Sequence, residues 1–186
     1  MGEKKKAVFF DRDGTLIEEV DFLATVEETN LFPYTIEALG LLKVAGFSFV
    51  VVTNQSGIAR GYFDANAVNA IHEKIRRELE ASGIEIESFH FCPHLPDAGC
   101  ECRKPNTGMI RQAMEVHEYD LKQCWMIGDK ELDIGLGKNA GTRTALVRTG
   151  YGSSIEDGMS AKPDIVADDL LEAAKMIVGV KNKTVG

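Results

Sequence analysis

Two aspartates separated by one residue stand in the stretch best suited to chemistry, Asp11-Arg12-Asp13-Gly14-Thr15. They follow an apolar and aromatic run at residues 7–10, which is typical of a short buried strand. Carboxylates this close repel each other unless a cation lies between them, so the pair predicts a Mg²⁺ site. Asp11 could then attack as a nucleophile while Asp13 moves protons. A polar turn after a strand is the plain alternative for this motif alone.

Two further polar clusters also follow apolar runs. Thr53-Asn54-Gln55-Ser56-Gly57 offers a hydroxyl and turn N–H groups that suit phosphate oxygens, although an ordinary glycine turn explains the same residues. In the second cluster, residues 128–133, Asp129 can ligate Mg²⁺ together with Asp11. Asp133 follows at helical spacing and can ligate the metal or orient another ligand. Acids near a helix N-terminus also stabilise the helix dipole, which is the alternative for Asp133.

Cysteine and histidine are concentrated in the loop at residues 92–102, which joins a Cys-x-His pair to a Cys-x-Cys pair. Three cysteines and one histidine are the soft or borderline ligands of a closed tetrahedral zinc site, and they exclude two disulfides. No coordination position is left for water, so we predict a structural zinc; scattered core cysteines are the alternative. The predicted ligands are Cys92, His94, Cys100 and Cys102.

Two cations, Arg103 and Lys104, follow this loop directly. A loop clamped by a metal would hold both in one place, and phosphoryl transfer needs positive charge fixed around the transferring group. A solvated basic pair on the surface is the alternative reading.

Strand-like and helix-like stretches alternate along the chain. Repeated strand–helix units of this length predict an α/β three-layer sandwich, in which a mostly parallel sheet carries helices on both faces. Ligands bind beyond the carboxyl ends of the strands in such sheets, and the polar clusters lie at those ends. The strands are predicted at residues 7–10, 47–52, 88–91, 124–127, 144–147 and 164–167.

Several helix ends are also recognisable. A helix around residues 36–45 has Pro33 suited to its first turn and Gly46 as its C-terminal cap. Asp64 can cap a second helix that closes near Gly83, and residue 106 or 107 opens a third. The inward-facing residues are predicted to be Val68, Ile71, Ile75 and Leu79 on the second helix, and Ile110, Ala113 and Met114 on the third.

Length and composition set broad bounds. A chain of 186 residues is long enough for one domain, predicted to span 1–186. Its net charge of −8 argues against nucleic acid or an anionic membrane as partner. The sequence has no run apolar enough to span a bilayer and no signal peptide pattern, so we expect a cytoplasmic protein. Without an exposed apolar stripe we expect a monomer, with a frayed tail from Lys181.

The ordered set DRDGT, TNQS, RKP and GDKELD resembles the four motifs of the haloacid dehalogenase superfamily phosphatases. The resemblance covers most of the chain and implies a Rossmann-like fold, here without room for a large cap domain, and Mg²⁺-dependent hydrolysis of a small phosphorylated substrate. It implies that Asp11 becomes an aspartyl phosphate, while Asp13 protonates the leaving alcohol and later activates water. Thr53 and Lys104 would hold the phosphoryl oxygens. Asp11, the backbone carbonyl of Asp13 and Asp129 would ligate Mg²⁺.

Within the superfamily, the loop at residues 92–102 and the stretch TNQSGIARG at 53–61 are similar to the D-glycero-D-manno-heptose 1,7-bisphosphate phosphatases. This implies hydrolysis of a sugar bisphosphate to the 1-phosphate. That family tends to carry a sugar-contacting Asp-x-Gly-Tyr segment, and the corresponding residues 18–23 here read EEVDFL. The residues predicted to contact substrate are Asn54, Gln55, Ser56, Arg60, Arg103 and Lys130.

Two alternatives stay open. Histidinol-phosphate phosphatases carry a similar short CPHLP…C-x-C-RKP loop, but Arg60 favours a bisphosphate, because a second phosphate needs a second cation. A non-catalytic, zinc-stabilised phosphate-binding module is the other alternative. Retention of both Asp11 and Asp13 argues against it.

Overall fold

Six parallel strands form one sheet at the centre of the computed structural model, which describes residues 4–180. The predicted tail from Lys181 lies outside the described residues. The strands are β1 Ala7–Phe10, β2 Ser48–Asn54, β3 Ser88–Cys92, β4 Trp125–Gly128, β5 Arg143–Val147 and β6 Ile165–Ala167. Their order in the sheet is β3-β2-β1-β4-β5-β6, and each neighbouring pair is parallel.

Helices cover both faces of this sheet, which confirms the predicted three-layer α/β architecture. The helices are α1 Thr35–Val44, α2 Ala65–Glu80, α3 Gly108–Val116, α4 Glu131–Ala140, α5 Gly152–Ile155 and α6 Leu170–Val180, with 3₁₀ turns at Leu121–Gln123 and Glu156–Gly158. Because successive strand residues point to opposite faces, Val8 and Phe10 pack with α1, α2 and α6, whereas Ala7 and Phe9 pack with α3 and α4.

Most of the predicted helix features are confirmed. The Asp64 side chain accepts a hydrogen bond from the backbone N–H of Ala67 and so caps α2. Pro33 is not in the first turn of α1, because that helix begins at Thr35. Gly46 follows α1 with a φ of +82°, as a C-terminal glycine should. The four residues predicted to face inward from α2, Val68, Ile71, Ile75 and Leu79, are all fully buried.

The prediction for α3 was wrong at one residue. Ile110 and Ala113 are buried as expected, but Met114 is 37% exposed. The buried face consists of Met109, Ile110 and Ala113, and Met114 lies about 100° further around the helix than Ala113. On a helix of nine residues that turn carries the side chain to solvent.

The sheet order places a crevice between β1 and β4, because the connections from these two strands run to opposite sides. Within the described residues, the segments 11–34 and 55–64 contain neither helix nor strand, so no folded cap is inserted in them. None of the helices in the described part of the chain is long and apolar enough to cross a membrane.

Candidate active site

Three buried carboxylates meet at the carboxyl ends of β1 and β4. The chain leaves β1 at Asp11, whose backbone N–H donates to the carbonyl of Ile127 at 2.9 Å. Asp129 follows β4, and Asp133 lies in the first turn of α4. One carboxylate oxygen from each of the three acids lies within 4.8 Å of the others. Mg²⁺ prefers an all-oxygen donor set of this kind, so these residues fit the ion.

The charges of these acids also favour a bound cation. Burial, and then the negative charge of Asp11, raises the pKa of Asp129 to about 8. The same two causes raise the pKa of Asp133 to about 6. Burial also opposes the charged form of Asp11, but Lys104 and Lys130 outweigh it and hold the pKa of Asp11 below its usual range. A divalent cation among the three would stabilise all of them in their ionised form.

Two glycines allow the chain to close around Asp129. Gly14 has a φ of +78° and Gly150 a φ of +55°, both in the left-handed region that favours glycine. A Cβ atom at either position would overlap the Asp129 carboxylate. The backbone N–H of Tyr151 donates to Asp129 Oδ2 at 2.9 Å, so this carboxylate is fixed from two sides.

Lys104 connects two of the acids to the neighbouring strand. Its buried Nζ lies 2.8 Å from Asp11 Oδ1 and 2.6 Å from Asp133 Oδ1, and it donates to the carbonyl of Val52 at 3.0 Å. Asn54, at the end of β2, accepts from the Lys104 backbone N–H at 3.1 Å and donates to the Lys104 carbonyl at 3.5 Å. Asn54 therefore anchors the backbone of Lys104.

Lys130 forms a second cationic centre above the acids. Its Nζ lies 3.0 Å from Asp129 Oδ1, 3.1 Å from Glu19 Oε2 and 3.6 Å from Asp11 Oδ2. Although burial opposes its charge, these acids hold the pKa of Lys130 above its usual range. Burial raises the pKa of Glu19, and its charge contributes less to the raised pKa of Lys130 than the charges of Asp11 and Asp129 do. Lys130 thus balances part of the negative charge around Asp11.

Asp13 is held by a different set of neighbours. Arg12 contacts both of its carboxylate oxygens, at 2.9 Å and 3.1 Å. Gln55 Nε2 donates to Asp13 Oδ2 at 2.9 Å and to Thr53 Oγ1 at 2.9 Å, and the Thr53 hydroxyl lies 3.5 Å from Asp13 Oδ2. The Asp13 carboxylate is therefore oriented by groups on two strand ends.

A cavity of about 200 Å³ opens over these side chains. Arg60 does not line this cavity; its guanidinium lies 5.8 Å from the ring centre of Phe22, which does. The structure thus brings together most of the predicted catalytic and substrate-contacting residues and leaves Arg60 outside the cavity wall. Those on the wall are Asp11, Asp13, Thr53, Asn54, Gln55, Ser56, Arg103, Lys104 and Lys130.

Nine of the described residues on the cavity wall were not predicted as site residues, and four of these, Glu19, Asp21, Phe22 and Tyr151, are polar or aromatic side chains from two segments. Glu19, Asp21 and Phe22 come from the segment after β1, and Phe22 has an unusual φ of +51°. Tyr151 reaches the same wall from the loop after β5, and its hydroxyl donates to Asp21 Oδ1 at 3.0 Å. The position of residues 18–23, at the place of a sugar-contacting segment, was a usable signal for the first three. No sequence feature indicated Tyr151.

The Cys/His cluster lies just beyond β3, which ends at Cys92. The sulfurs of Cys92 and Cys102 each lie 3.6 Å from Cys100 Sγ, and they lie 3.5 Å and 3.3 Å from His94 Nδ1. When four such ligand atoms surround a zinc ion tetrahedrally, neighbouring ligand atoms lie about 3.5–3.7 Å from each other. The distances observed between the sulfur and nitrogen atoms therefore fit a zinc ion. Burial raises the pKa of Cys92 to about 12, so a cation is needed to hold it as a thiolate.

The strand order, the acids after β1 and β4 and the lysine between them define a haloacid dehalogenase-type hydrolase. In agreement, the HAD-hydrolase-like family model matches residues 101–173. A structure from B. bronchiseptica, a D,D-heptose 1,7-bisphosphate phosphatase complexed with magnesium and phosphate, superimposes with a TM-score of 0.85 at 34% identity. The superposition covers 94% of this chain and 99% of the B. bronchiseptica chain.

Relatives along nearly the whole chain identify the group more closely. A D-glycero-D-manno-heptose-1,7-bisphosphate 7-phosphatase of Thermosynechococcus vestitus is 38% identical, over 93% of this chain and 95% of its own. A D-glycero-alpha-D-manno-heptose-1,7-bisphosphate 7-phosphatase of Photorhabdus laumondii is 37% identical, over 94% of this chain and 97% of its own. The chain belongs to this family of haloacid dehalogenase-like phosphatases and is a phosphoric monoester hydrolase.

Proposed function

We propose that this enzyme hydrolyses D-glycero-D-manno-heptose 1,7-bisphosphate to the 1-phosphate, through an aspartyl phosphate on Asp11. The observation that carries the catalytic part is the buried Asp11 itself, held in its charged form by Lys104 and Lys130. A buried, desolvated carboxylate beside fixed cations is a suitable nucleophile toward phosphorus. The names of the full-length relatives support the choice of substrate.

In the first half of the reaction, an Asp11 oxygen forms a bond to phosphorus as the bond to the sugar oxygen breaks. Asp13 transfers its proton to the departing sugar oxygen, which leaves as an alcohol. In the second half, water attacks phosphorus, the bond to Asp11 breaks and the water proton passes to Asp13. The enzyme is thereby regenerated and phosphate is released.

We assign Lys104 and Thr53 to binding of the phosphoryl oxygens during both halves. Both line the cavity, and Lys104 contacts Asp11 directly. Asp11, Asp129 and the Asp13 carbonyl would hold Mg²⁺, which would supply positive charge to neutralise the charge developing on the transferring group. Asp133 contacts the Lys104 side chain and accepts from the Lys130 backbone N–H at 3.0 Å. We therefore propose that Asp133 orients these two lysines.

The remaining phosphate of a bisphosphate requires cations away from Asp11. Arg103 lines the cavity and is fixed by donation to the carbonyl of His94 at 3.1 Å. Arg60 lies at the rim over Phe22, where a longer substrate would extend beyond the cavity. These two arginines support a substrate with two phosphates.

We also propose a structural zinc held by Cys92, His94, Cys100 and Cys102. Its effect on catalysis would be indirect: Lys104 lies two residues after Cys102, so a fixed loop limits the positions that Lys104 can adopt. Elemental analysis of freshly purified, unchelated protein should find one zinc per chain, and protein without zinc would contradict the assignment.

The substrate assignment is tested by comparing kcat/KM for heptose 1,7-bisphosphate, fructose 1,6-bisphosphate and histidinol phosphate with Mg²⁺. We expect the heptose compound to be preferred over histidinol phosphate by at least about a hundredfold, since two positioned charge contacts are lost with the monophosphate. ³¹P NMR of the product should show that the 1-phosphate remains. Preference for histidinol phosphate would replace the proposed substrate, and the absence of phosphate release would reject the proposed chemistry.

A further inference from the structure

Arg12 is the largest of the fully buried side chains, and the proposed chemistry gives it no role. A guanidinium stays charged in proteins, so burying it is costly unless its charge is balanced. Its Nη2 lies 2.9 Å from Asp13 Oδ1 and its Nε lies 3.1 Å from Asp13 Oδ2. Two parallel contacts of this kind fix both the distance and the plane of a carboxylate.

The turn after β1 makes this contact possible. Adjacent side chains in a strand point to opposite faces, so Arg12 and Asp13 could not meet if β1 continued. The chain folds back instead, and the backbone N–H groups of Leu16 and Ile17 donate to the Arg12 carbonyl at 3.0 and 3.2 Å. The two side chains are thereby brought to the same side of the chain.

Gln55 supports the same carboxylate from the end of β2. Its Nε2 donates to Asp13 Oδ2 at 2.9 Å, while Asp13 still lines the cavity. Both Asp13 oxygens therefore accept from fixed groups, and the side chain can rotate only by breaking charge-assisted hydrogen bonds. The nearby His72 adds no competing charge, because burial and the Arg12 charge lower its pKa to about 3.

We propose that Arg12 is a positioning residue for Asp13, and that Gln55 is its second support. The inference rests on the proposed function, in which Asp13 gives a proton to the leaving oxygen and later takes one from water. Arg12 is fully buried and does not line the cavity, so it acts on the substrate only through Asp13. It fixes the direction of the Asp13 oxygens, so that the carboxyl group that has lost its proton is correctly placed to accept the next one.

The first test separates the two halves of the reaction with 4-nitrophenyl phosphate, whose leaving group needs no proton. In rapid-quench measurements with saturating Mg²⁺, Arg12→Gln should release the first equivalent of 4-nitrophenolate within about threefold of the wild-type rate. Its phosphate release should fall by about 10- to 100-fold, because water activation requires an aligned Asp13. Phosphorylated enzyme should therefore accumulate. Equal losses in both halves, or unchanged phosphate release, would overturn the inference.

A double-mutant cycle then asks whether Arg12 acts through Asp13. In the Asp13→Asn background, Arg12→Gln should change phosphate release by no more than about twofold, because the group it positions is already lost. Losses that multiply would assign Arg12 to the fold instead. Arg12→Lys keeps the charge without the paired contacts, and full recovery by this variant would contradict positioning by geometry.

Two further variants keep the test decisive. Arg76→Gln is the matched control: Arg76 is a half-buried arginine on α2 that donates to the Ile86 carbonyl at 3.0 Å, and its loss should leave both half-reactions unchanged. If Arg12→Gln does not fold, Gln55→Leu removes the other support, and its effect should likewise vanish with Asp13→Asn. Absence of a phosphoenzyme in the wild type would instead reject the proposed function.

Discussion

The carboxylate site and the Cys/His cluster are held in place by different means. Asp11 and Asp129 are buried and stand directly after neighbouring strands, so the hydrogen bonds of the sheet set their separation. In the cluster, only Cys92 belongs to a strand; Cys100 and Cys102 lie in a loop and are partly exposed. We infer that folding of the sheet assembles the carboxylate site, whereas the Cys/His cluster depends on binding of a metal ion to hold its loop in place.

Lys104 is where the two regions meet. Its side chain belongs to the carboxylate site through Asp11 and Asp133, but its backbone follows the cluster by two residues. Damage to the first region should therefore remove the reaction with the fold intact. Damage to the second should loosen the loop and reduce the reaction only in part.

The largest effect is expected from Asp11→Asn. An amide is a poor nucleophile, so turnover should fall by at least about a thousandfold and no phosphoenzyme should be trapped. Circular dichroism should remain that of the wild type, because the side chain keeps its shape. Near-normal turnover with Mg²⁺ would favour direct attack of water on phosphorus. The carboxylate site would then not differ from the Cys/His cluster in being essential for the reaction.

A smaller effect is expected from Cys102→Ser. Loss of one ligand should release the zinc, lower the melting temperature and reduce kcat by about 10- to 100-fold through displacement of Lys104. Cys124→Ala is the matched control, since Cys124 is buried in the core outside the cluster and should retain zinc. Full activity of a zinc-free Cys102→Ser protein would show that the sheet alone positions Lys104.

Arg60→Ala and Arg103→Ala should act on substrate choice. Each lost charge-assisted hydrogen bond is worth roughly 1.5–3 kcal/mol, or about ten- to a hundredfold in kcat/KM for the sugar bisphosphate. A small monophosphate should be affected far less. Arg111→Ala, which removes an exposed arginine paired with Glu101, serves as the control. Equal losses on both substrates would mean that the arginines serve the transferring group or the fold.

The smallest effect is expected from Asn54→Ala. It removes both contacts to the Lys104 backbone, so kcat should fall about three- to tenfold with little change in KM. Asn66→Ala, on the surface of α2, should change neither. A rise in KM without a fall in kcat would instead favour the direct substrate contact expected from the sequence.

Local patterns were enough to predict the scaffold and the ligand types. Alternating apolar runs and helix caps indicated the strand–helix units, because burial and capping act over a few residues. The strand-end positions of Asp11 and Asp129 followed from the same pattern. The spacing of Cys92, His94, Cys100 and Cys102 indicated a closed set of ligands, since a short loop cannot keep them apart. Met114 was misplaced because a helix face is set by what packs against it.

Only the tertiary structure decided which partners these groups have. The Lys104–Asp11 ion pair joins residues that are 93 positions apart in the sequence. The hydrogen bond between Asn54 and the Lys104 backbone joins residues that are 50 positions apart. The hydrogen bond between the Tyr151 hydroxyl and Asp21 joins residues that are 130 positions apart. Contacts of this kind arise when the sheet brings distant strand ends to one edge, and no local spacing encodes them. The sequence therefore specified the chemistry available to this enzyme, and the packed sheet determined how each group is paired and aimed.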